Sequence, residues 1–508
     1  MKKALELFKK ASVSNWVVVV IVIVAAYMRL YKIRDYMTFL GDEGRDVLIV
    51  RRLIVDGDIP FIGPTASVAA FFLGPLYYYL MAPFLWLSRL DPVGPAIMVA
   101  LFGVATVCLV YKVGKEWYGT FAGVCASALY ALSPLVIAQS RSSWNPNVVP
   151  FFALFYIYSL YKAISLNKKI WYFLAGTCIG AGIQFHYLYL FLVPVSAILL
   201  VYHRKKKDMQ NYSSFIAGII VPLAPFIGFE IKNSFPNTRT ILKFLTAGKE
   251  VAYTGDPITT VADVVFRAFA RLVFFYPNPD RYESFSGQGL LWGKVGIIAT
   301  IVLSVGLVGY RVVKYKNVKD ILLFVWFLAG TLFFVLYQKA IYDYYLVIIF
   351  PLPFLLLAVL LQRWWDKKNL RIWVGIILFL LILLNYSGRP FQYAPNRQVN
   401  QVENAARSIF DLAAGEPFNF ALITGGNSDH AYRYFLELWG NKPVTIENTE
   451  KDPNRTSVTK QLLIVCEIGN CQPLGHSLWE IAGFGQAEIA THVTVGPLEV
   501  YKLVPRAH

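Results

Sequence analysis

Apolar residues in this chain fall in blocks of about twenty, the length a helix needs to cross the hydrocarbon core of a bilayer. Such blocks begin near Trp16, Pro95, Thr120, Val148, Ile170, Tyr189, Ser213, Leu290, Ile321, Tyr345 and Leu370. They predict roughly eleven membrane-spanning helices. A further apolar piece, 71–87, is interrupted by Gly74, Pro75 and Pro83. From about 392 onward the pattern changes to shorter alternating segments. These predict a helix at 401–414, an apolar strand-like run at 418–424 and a helix at 429–438. Strands follow at 443–447 and 461–467, then a helix at 474–482 and two final strands reaching Val504. That alternation is the pattern of a small α/β domain. The expected organisation is therefore an α-helical polytopic membrane domain over 1–391 and a soluble α/β domain over 392–508.

Charge orients the spans. Basic turns at Lys112/Lys115, Lys162/Lys168/Lys169, 204–207, Arg311/Lys314/Lys316/Lys319 and Arg363/Lys367/Lys368/Arg371 recur at every second connection after Pro95. Basic residues mark the cytoplasmic side, and all five turns face it only if 71–87 does not cross. This segment is accordingly expected to be re-entrant or interfacial within a first external loop of about 34–94. The same alternation places a second large loop, about 230–289, outside. It leaves the N-terminus, with Lys2, Lys3, Lys9 and Lys10, in the cytoplasm and the α/β domain extracytoplasmic at the cell membrane. A cleaved signal peptide is the competing reading of the first block, but the run from Trp16 to Tyr31 is long and no small-residue cleavage site follows it.

Composition agrees with the pattern. The 508 residues are 56% hydrophobic and 16% aromatic, with a mean hydropathy of +0.50, well above a soluble globular chain. The net charge of +17 would suggest a nucleic-acid partner in a soluble protein. Here it is concentrated in the short turns between apolar blocks, so no nucleic-acid partner is expected. Cys108, Cys125 and Cys178 lie inside apolar blocks as small buried hydrophobes. Cys466 and Cys471 lack His or Cys neighbours at zinc spacing, and can pair in a disulfide if the tail faces an oxidising compartment. The loop Thr424-Gly425-Gly426-Asn427-Ser428 has neither a Walker nor a dinucleotide pattern and reads as an ordinary strand-to-helix turn. Trp364-Trp365-Asp366 falls in a basic cytoplasmic turn and reads as an interfacial anchor.

The most informative polar cluster is Gly41-Asp42-Glu43-Gly44-Arg45-Asp46, just outside the first apolar block. Ionisable groups beside a bilayer carry a desolvation cost and tend to be functional. Asp42 and Glu43 are adjacent and point in different directions on any regular element, so one is expected to catalyse while the other binds or orients. The string GDEGRDVLIVRRLIVDGDIP, followed by GPLYYYL, resembles the first external loop of GT-C glycosyltransferases that use polyprenyl-phosphate donors. Protein O-mannosyltransferases and the aminoarabinose transferase of lipid A belong to that group. The similarity continues through LSPLVIAQSRSSWNPNVVPFF and QFHYLYL.

The resemblance implies a GT-C-like fold and transfer of a sugar from a polyprenyl-phosphate carrier to an extracytoplasmic acceptor, which can be a glycan, lipid or protein. Asp42 would be the catalytic general base, with Glu43 beside it. Arg45, Arg141, His186 and Lys339 are the candidates for the donor phosphate, and Asn145, Asn147 and Tyr344 for positioning substrate. Where many members have an acid in the second external loop, this chain has Trp144-Asn145-Pro146-Asn147, and the charged Lys that some relatives carry before 72–75 is absent. No metal site is assigned, and a divalent metal, if bound, is not expected to be essential. A lipid-linked glycan transporter or a non-catalytic scaffold of the same fold is the alternative. A transporter would be expected to show internal repeats and ionisable groups near mid-span, neither of which is evident.

Overall fold

The computed structural model describes residues 13–66, 71–203, 209–246, 256–277, 283, 286–337, 340–469 and 471–506. Met1–Lys10, the basic turn 204–207, part of the loop 230–289 and Lys339 lie wholly or partly outside the described residues. The chain divides into two compact units. One contains 1–31, 60–80 and 97–394; the other contains 32–59, 81–96 and 395–508.

The first unit is helical. Six helices among the described residues are long and apolar enough to cross a membrane: Val93–Tyr118, Asn145–Leu166, Met209–Lys232, Gly287–Tyr315, Val318–Leu336 and Lys368–Ser387. A bent pair, Asp343–Ile349 with Leu352–Trp365, makes a seventh if its 57° break lies within one span. The predicted blocks at Trp16, Thr120 and Tyr189 are the shorter apolar helices Asn15–Leu30, Thr120–Leu132 and Tyr187–Leu199, and the block at Ile170 is the helix Lys169–Phe185. Length and composition thus support six or seven spans rather than establishing eleven. At the Thr120 and Tyr189 blocks the difference arises because prolines and 3₁₀ turns break apolar runs that are continuous in sequence. The piece at 71–87 forms only the 12-residue helix Leu76–Leu87, about 18 Å long at 1.5 Å per residue.

Leu352–Trp365 is the inner helix of this unit, buried at every position from Leu352 to Leu361. Met209–Lys232, Gly287–Tyr315 and Lys368–Ser387 instead expose most of their apolar surface, as lipid-facing helices do. Lys169–Phe185 and Met209–Lys232 pack through glycines. A Cβ on Gly176 would stand 2.0 Å from the Phe215 carbonyl oxygen, and one on Gly180 would be 2.3 Å from that of Ile219. Small residues four apart allow this backbone approach, the usual basis of helix packing in a membrane. The expected second loop holds two helices, Pro236–Thr246 and Pro257–Leu272.

The second unit is α/β. Strands β1 (Asn419–Ile423), β2 (Leu462–Cys466), β3 (Ala487–Val495) and β4 (Leu498–Pro505) form one sheet in the order β1-β2-β4-β3. β1 and β2 are parallel; β4 runs antiparallel to both β2 and β3. β1 and β2 are buried at every position, which suits their unbroken apolar sequence. Helices Gln398–Ala413 and His430–Leu438 complete the tail. Two expected elements differ. The segment 443–447 makes only an isolated bridge, Val444 to Asn419, and the helix expected over 474–482 is the single turn Trp479–Ala482. Pro443 and the Pro473–Gly475 turn explain both. Cys466 and Cys471 form a disulfide.

The tail shares its compact unit with earlier segments of the chain. Segments 32–59 and 81–96 belong to the same unit. Arg34 binds Asp91 at 2.5 Å and Glu403 at 2.8 Å, Arg52 binds Glu437 at 2.7 Å, and the Tyr434 hydroxyl donates to the Leu90 carbonyl.

Candidate active site on the acidic helix

The acidic cluster forms the first turns of the helix Gly41–Val55. Leu40 precedes it in an extended conformation, and its N–H donates to Glu43 Oε2 at 3.1 Å. A glutamate three positions into a helix, reaching back to the cap residue, is one half of a capping box, and both acids of the first turn favour the helix dipole. The two carboxyls then diverge. Glu43 is buried, and burial pushes its pKa up to about 7, with the Asp42 and Asp46 charges adding to the rise. Asp42 keeps 56% of its side chain exposed and accepts from Arg45 at 2.8 Å. Arg45 also donates Nε and Nη2 to Asp46 Oδ1 at 2.9 and 2.8 Å. Its guanidinium therefore bridges two carboxylates, which occupies the donors a phosphate would need.

Gly41 and Gly44 place this helix directly on the tail. A Cβ at Gly41 would lie 2.0 Å from Ser428 Oγ, and one at Gly44 would lie 2.3 Å from the Ala431 backbone nitrogen. Only glycine leaves room for that approach. His430 stands in the same region, with Nδ1 2.8 Å from Ser428 Oγ. Burial lowers its pKa; Asp429 and Asp42 oppose the shift, and Arg45 and Arg433 reinforce it.

The remaining sequence candidates belong to the other unit. Asn145, His186 and Tyr344 come together there. Asn145 donates to the Phe185 carbonyl at 2.6 Å, and His186 accepts at Nδ1 from the Leu188 N–H at 3.2 Å. Its ring lies 6.3 Å from Tyr344 and 5.6 Å from Tyr345. Tyr344 packs edge-on to Trp144. Asn147 follows in the same turn; its N–H donates to the Trp144 carbonyl and its side chain holds the Ser142 carbonyl at 2.9 Å. Arg141 bonds elsewhere. It is buried, and its Nη1 and Nη2 donate at 2.8 Å to the Met28 and Tyr31 carbonyls, respectively, at the end of the first apolar helix. Those bonds satisfy a helix C-terminus and occupy the parallel fork expected to grip phosphate. Lys339 lies outside the described residues.

A cavity of about 670 Å³ in this unit is lined by Asp263, Arg267, Arg271, Lys294, Tyr342 and Asp343, among others. Arg267 binds Asp343 at 2.5 Å, Asp263 at 3.2 Å and the Ile341 carbonyl at 2.7 Å. Arg271 donates to the Tyr276 carbonyl at 2.9 Å. Sequence reasoning misses these residues because 230–289 reads as a loop. At helical spacing, Asp263, Arg267 and Arg271 recur every four residues along one face of Pro257–Leu272.

Residues 73–229 match the family described as dolichyl-phosphate-mannose-protein mannosyltransferase. Two Bacillus subtilis proteins named as candidate mannosyltransferases are similar over a short stretch. YkcB is 33% identical over 103 residues, 20% of this chain and 14% of that one. YycA is 29% identical over 100 residues, 20% and 15% of the respective chains. The matched stretch thus spans about a seventh of these relatives. Among solved structures, ArnT from Cupriavidus metallidurans bound to undecaprenyl phosphate aligns over 97% of this chain and 98% of its own, with a TM-score of 0.61 at 14% identity. The oligosaccharyltransferase AglB from Archaeoglobus fulgidus aligns over 89% and 69%, with a TM-score of 0.50 at 14% identity. The fold shared with ArnT over nearly the whole chain, with the family match over 73–229, describes a polytopic membrane protein with a GT-C-like fold.

Proposed function

We propose that the protein transfers a sugar, hexose or pentose, from a polyprenyl-phosphate carrier to a hydroxyl or amine on the extracytoplasmic side of the membrane. Asp42 is the base. It removes the acceptor's proton as the acceptor attacks the anomeric carbon from the face opposite the phosphate. The bond from that carbon to the phosphate oxygen breaks, the polyprenyl phosphate leaves with the electron pair, and the anomeric configuration inverts.

The observation that carries this reading is the contrast within the acidic pair. Asp42 is exposed and oriented by Arg45, whereas Glu43 is buried and spent on the Leu40 N–H. A base must reach its proton directly or through one water, and the exposure of Asp42 supports that role. For the leaving phosphate, the donors of Arg141 and Arg45 are committed to carbonyls and carboxylates, which weakens both as candidates. His186 and Lys339 remain further candidates. Support for the donor class comes from ArnT, solved with undecaprenyl phosphate, and from the family description over 73–229.

The test is transfer of radiolabel from a panel of polyprenyl-phosphate hexoses and pentoses by the purified full chain in lipid. Asp42→Asn preserves size and much of the hydrogen bonding but cannot take a proton. Turnover should fall by about 10²-fold to 10⁴-fold with donor affinity little changed, and Glu43→Gln should cost less. Near-normal transfer by Asp42→Asn beside an inactive Glu43→Gln would mean that the wrong acid has been assigned. Activity in both variants would defeat the mechanism.

A further inference from the structure

β1 and β2 are the parallel pair of the tail sheet, and their carboxyl ends present the loop Thr424–Ser428 and Glu467 side by side. In open α/β sheets this edge is where functional residues gather. Here the N-terminal turn of the acidic helix occupies it. Asn427 Oδ1 accepts from the Gly41 N–H at 2.8 Å and from the Ser428 N–H at 2.9 Å. Its Nδ2 donates to both oxygens of Glu467, at 3.0 and 3.2 Å. Glu467 also accepts from Thr424 Oγ1 at 2.7 Å and from the Tyr432 hydroxyl at 2.8 Å. Its own N–H donates to the Ile423 carbonyl at 2.9 Å.

The bonds impose a direction. Position 427 must accept toward the helix and donate toward a carboxylate, and an asparagine does both with one amide group. Glu467 therefore fixes which way Asn427 faces, and Asn427 fixes the first N–H of the helix that begins one residue before Asp42. The contacts of Gly41 with Ser428 and of Gly44 with the His430–Ala431 backbone set the depth of the helix, and the amide bond sets where the helix begins.

We propose that Asn427, oriented by Glu467, is a positioning residue that holds the first turn of the acidic helix and so aims Asp42. On this view the α/β domain is part of the transfer machinery, whatever its role toward the acceptor. The proposal rests on the assignment of Asp42 as base and deepens it.

A donor–acceptor swap tests it. Asn427→Asp alone brings two carboxylates face to face, and Glu467→Gln alone replaces one of the two oxygens that accept from Asn427 Nδ2 with a second donor. In the double variant the carboxylate introduced at position 427 would still accept from the Gly41 and Ser428 N–H groups. The amide introduced at position 467 would donate to that carboxylate while its one oxygen accepts from either Thr424 or Tyr432, which bond to different oxygens of Glu467. Amide hydrogen exchange in the full-length chain in lipid reports the holding of 41–45 without reference to activity, with β1 and β2 peptides as the control for folding. Transfer assays report its consequence.

Each single variant should speed exchange at 41–45 at least tenfold with β1 and β2 unchanged. A displaced base should lower kcat by about 10²-fold, the scale of loss for an ångström of misplacement, with little change in KM. The double variant should recover both. Unaltered exchange in the single variants, or a double variant no better than either, overturns the proposal, as does normal kcat in single variants whose exchange at 41–45 has risen. If the parent chain transfers no sugar from any donor in the panel, the catalytic reading fails, while the exchange measurements still decide whether Asn427 holds the helix.

Discussion

Asp42 and Glu43 are neighbours in the chain, yet their carboxyls meet different surroundings: one keeps its water and an arginine, and the other is sunk among backbone and two further acids. The second has a measurable consequence. Glu43 has its pKa raised from the ordinary 4.5 to about 7, so the folded state favours its protonated form. The stability this contributes is fully present below about 4.5 and is lost as pH rises through about 7. The midpoint of thermal unfolding in lipid should fall between pH 5 and pH 8 in the parent chain. Glu43→Gln, neutral throughout, should flatten that part of the profile. An unchanged slope in the variant would mean that Glu43 titrates in the ordinary range.

At the scale of elements, the acidic helix and the helix His430–Leu438 approach most closely where Gly44 lies against the Ala431 backbone. Gly44→Ala would gain roughly 1 kcal/mol of intrinsic helix propensity. Its Cβ would nevertheless be driven to 2.3 and 2.4 Å from Ala431 backbone atoms, and overpacking of this kind costs about 1–3 kcal/mol. Backbone cannot rotate away as a side chain can, so the contact should outweigh the propensity. Gly44→Ala is therefore expected to lower the unfolding midpoint and to speed amide exchange at 41–45. Gly57 carries a positive φ of 72° but has open space around it, so a substitution there tests backbone strain alone.

At the scale of the whole molecule, the chain returns to its own beginning: 32–59 and 81–96 fold with 395–508. Removing 392–508 alone is an obvious way to separate acceptor selection from catalysis, but it strips Asn427, Glu467 and the helix His430–Leu438 from the acidic helix. The expected outcome is loss of transfer to every acceptor, including small soluble ones, measured in protein shown to insert. A truncated chain that still transfers to a simple acceptor would show that the acidic helix stands without the tail. Sidedness is a separate question. The basic turns predict an external tail, and the Cys466–Cys471 disulfide suits an oxidising compartment. Cysteine placed at Asn454 should react with a membrane-impermeant thiol reagent in intact cells, and cysteine at Lys368 should not. The reverse pattern would invert the topology.

Sequence alone determined what local pattern can determine. Blocks of apolar residues announce a membrane domain because each helix satisfies its own backbone in lipid, and the shift to short alternating segments announces the α/β tail. The acidic cluster stood out as a candidate in sequence because charge beside a bilayer is costly. Which apolar blocks are whole spans was not legible, since breaks such as the 57° bend before Leu352 depend on packing. Nor was the fate of Arg141, whose donors go to the Met28 and Tyr31 carbonyls, more than 100 residues away in the chain. The partners Gly41 and Asn427 are 386 residues apart. No period or motif encodes such a pairing, because a hydrogen bond between distant residues exists only once the elements carrying them have been brought together. Tertiary structure alone decided that the loop Thr424–Ser428, unremarkable as a motif, would hold the first N–H of the helix that carries Asp42.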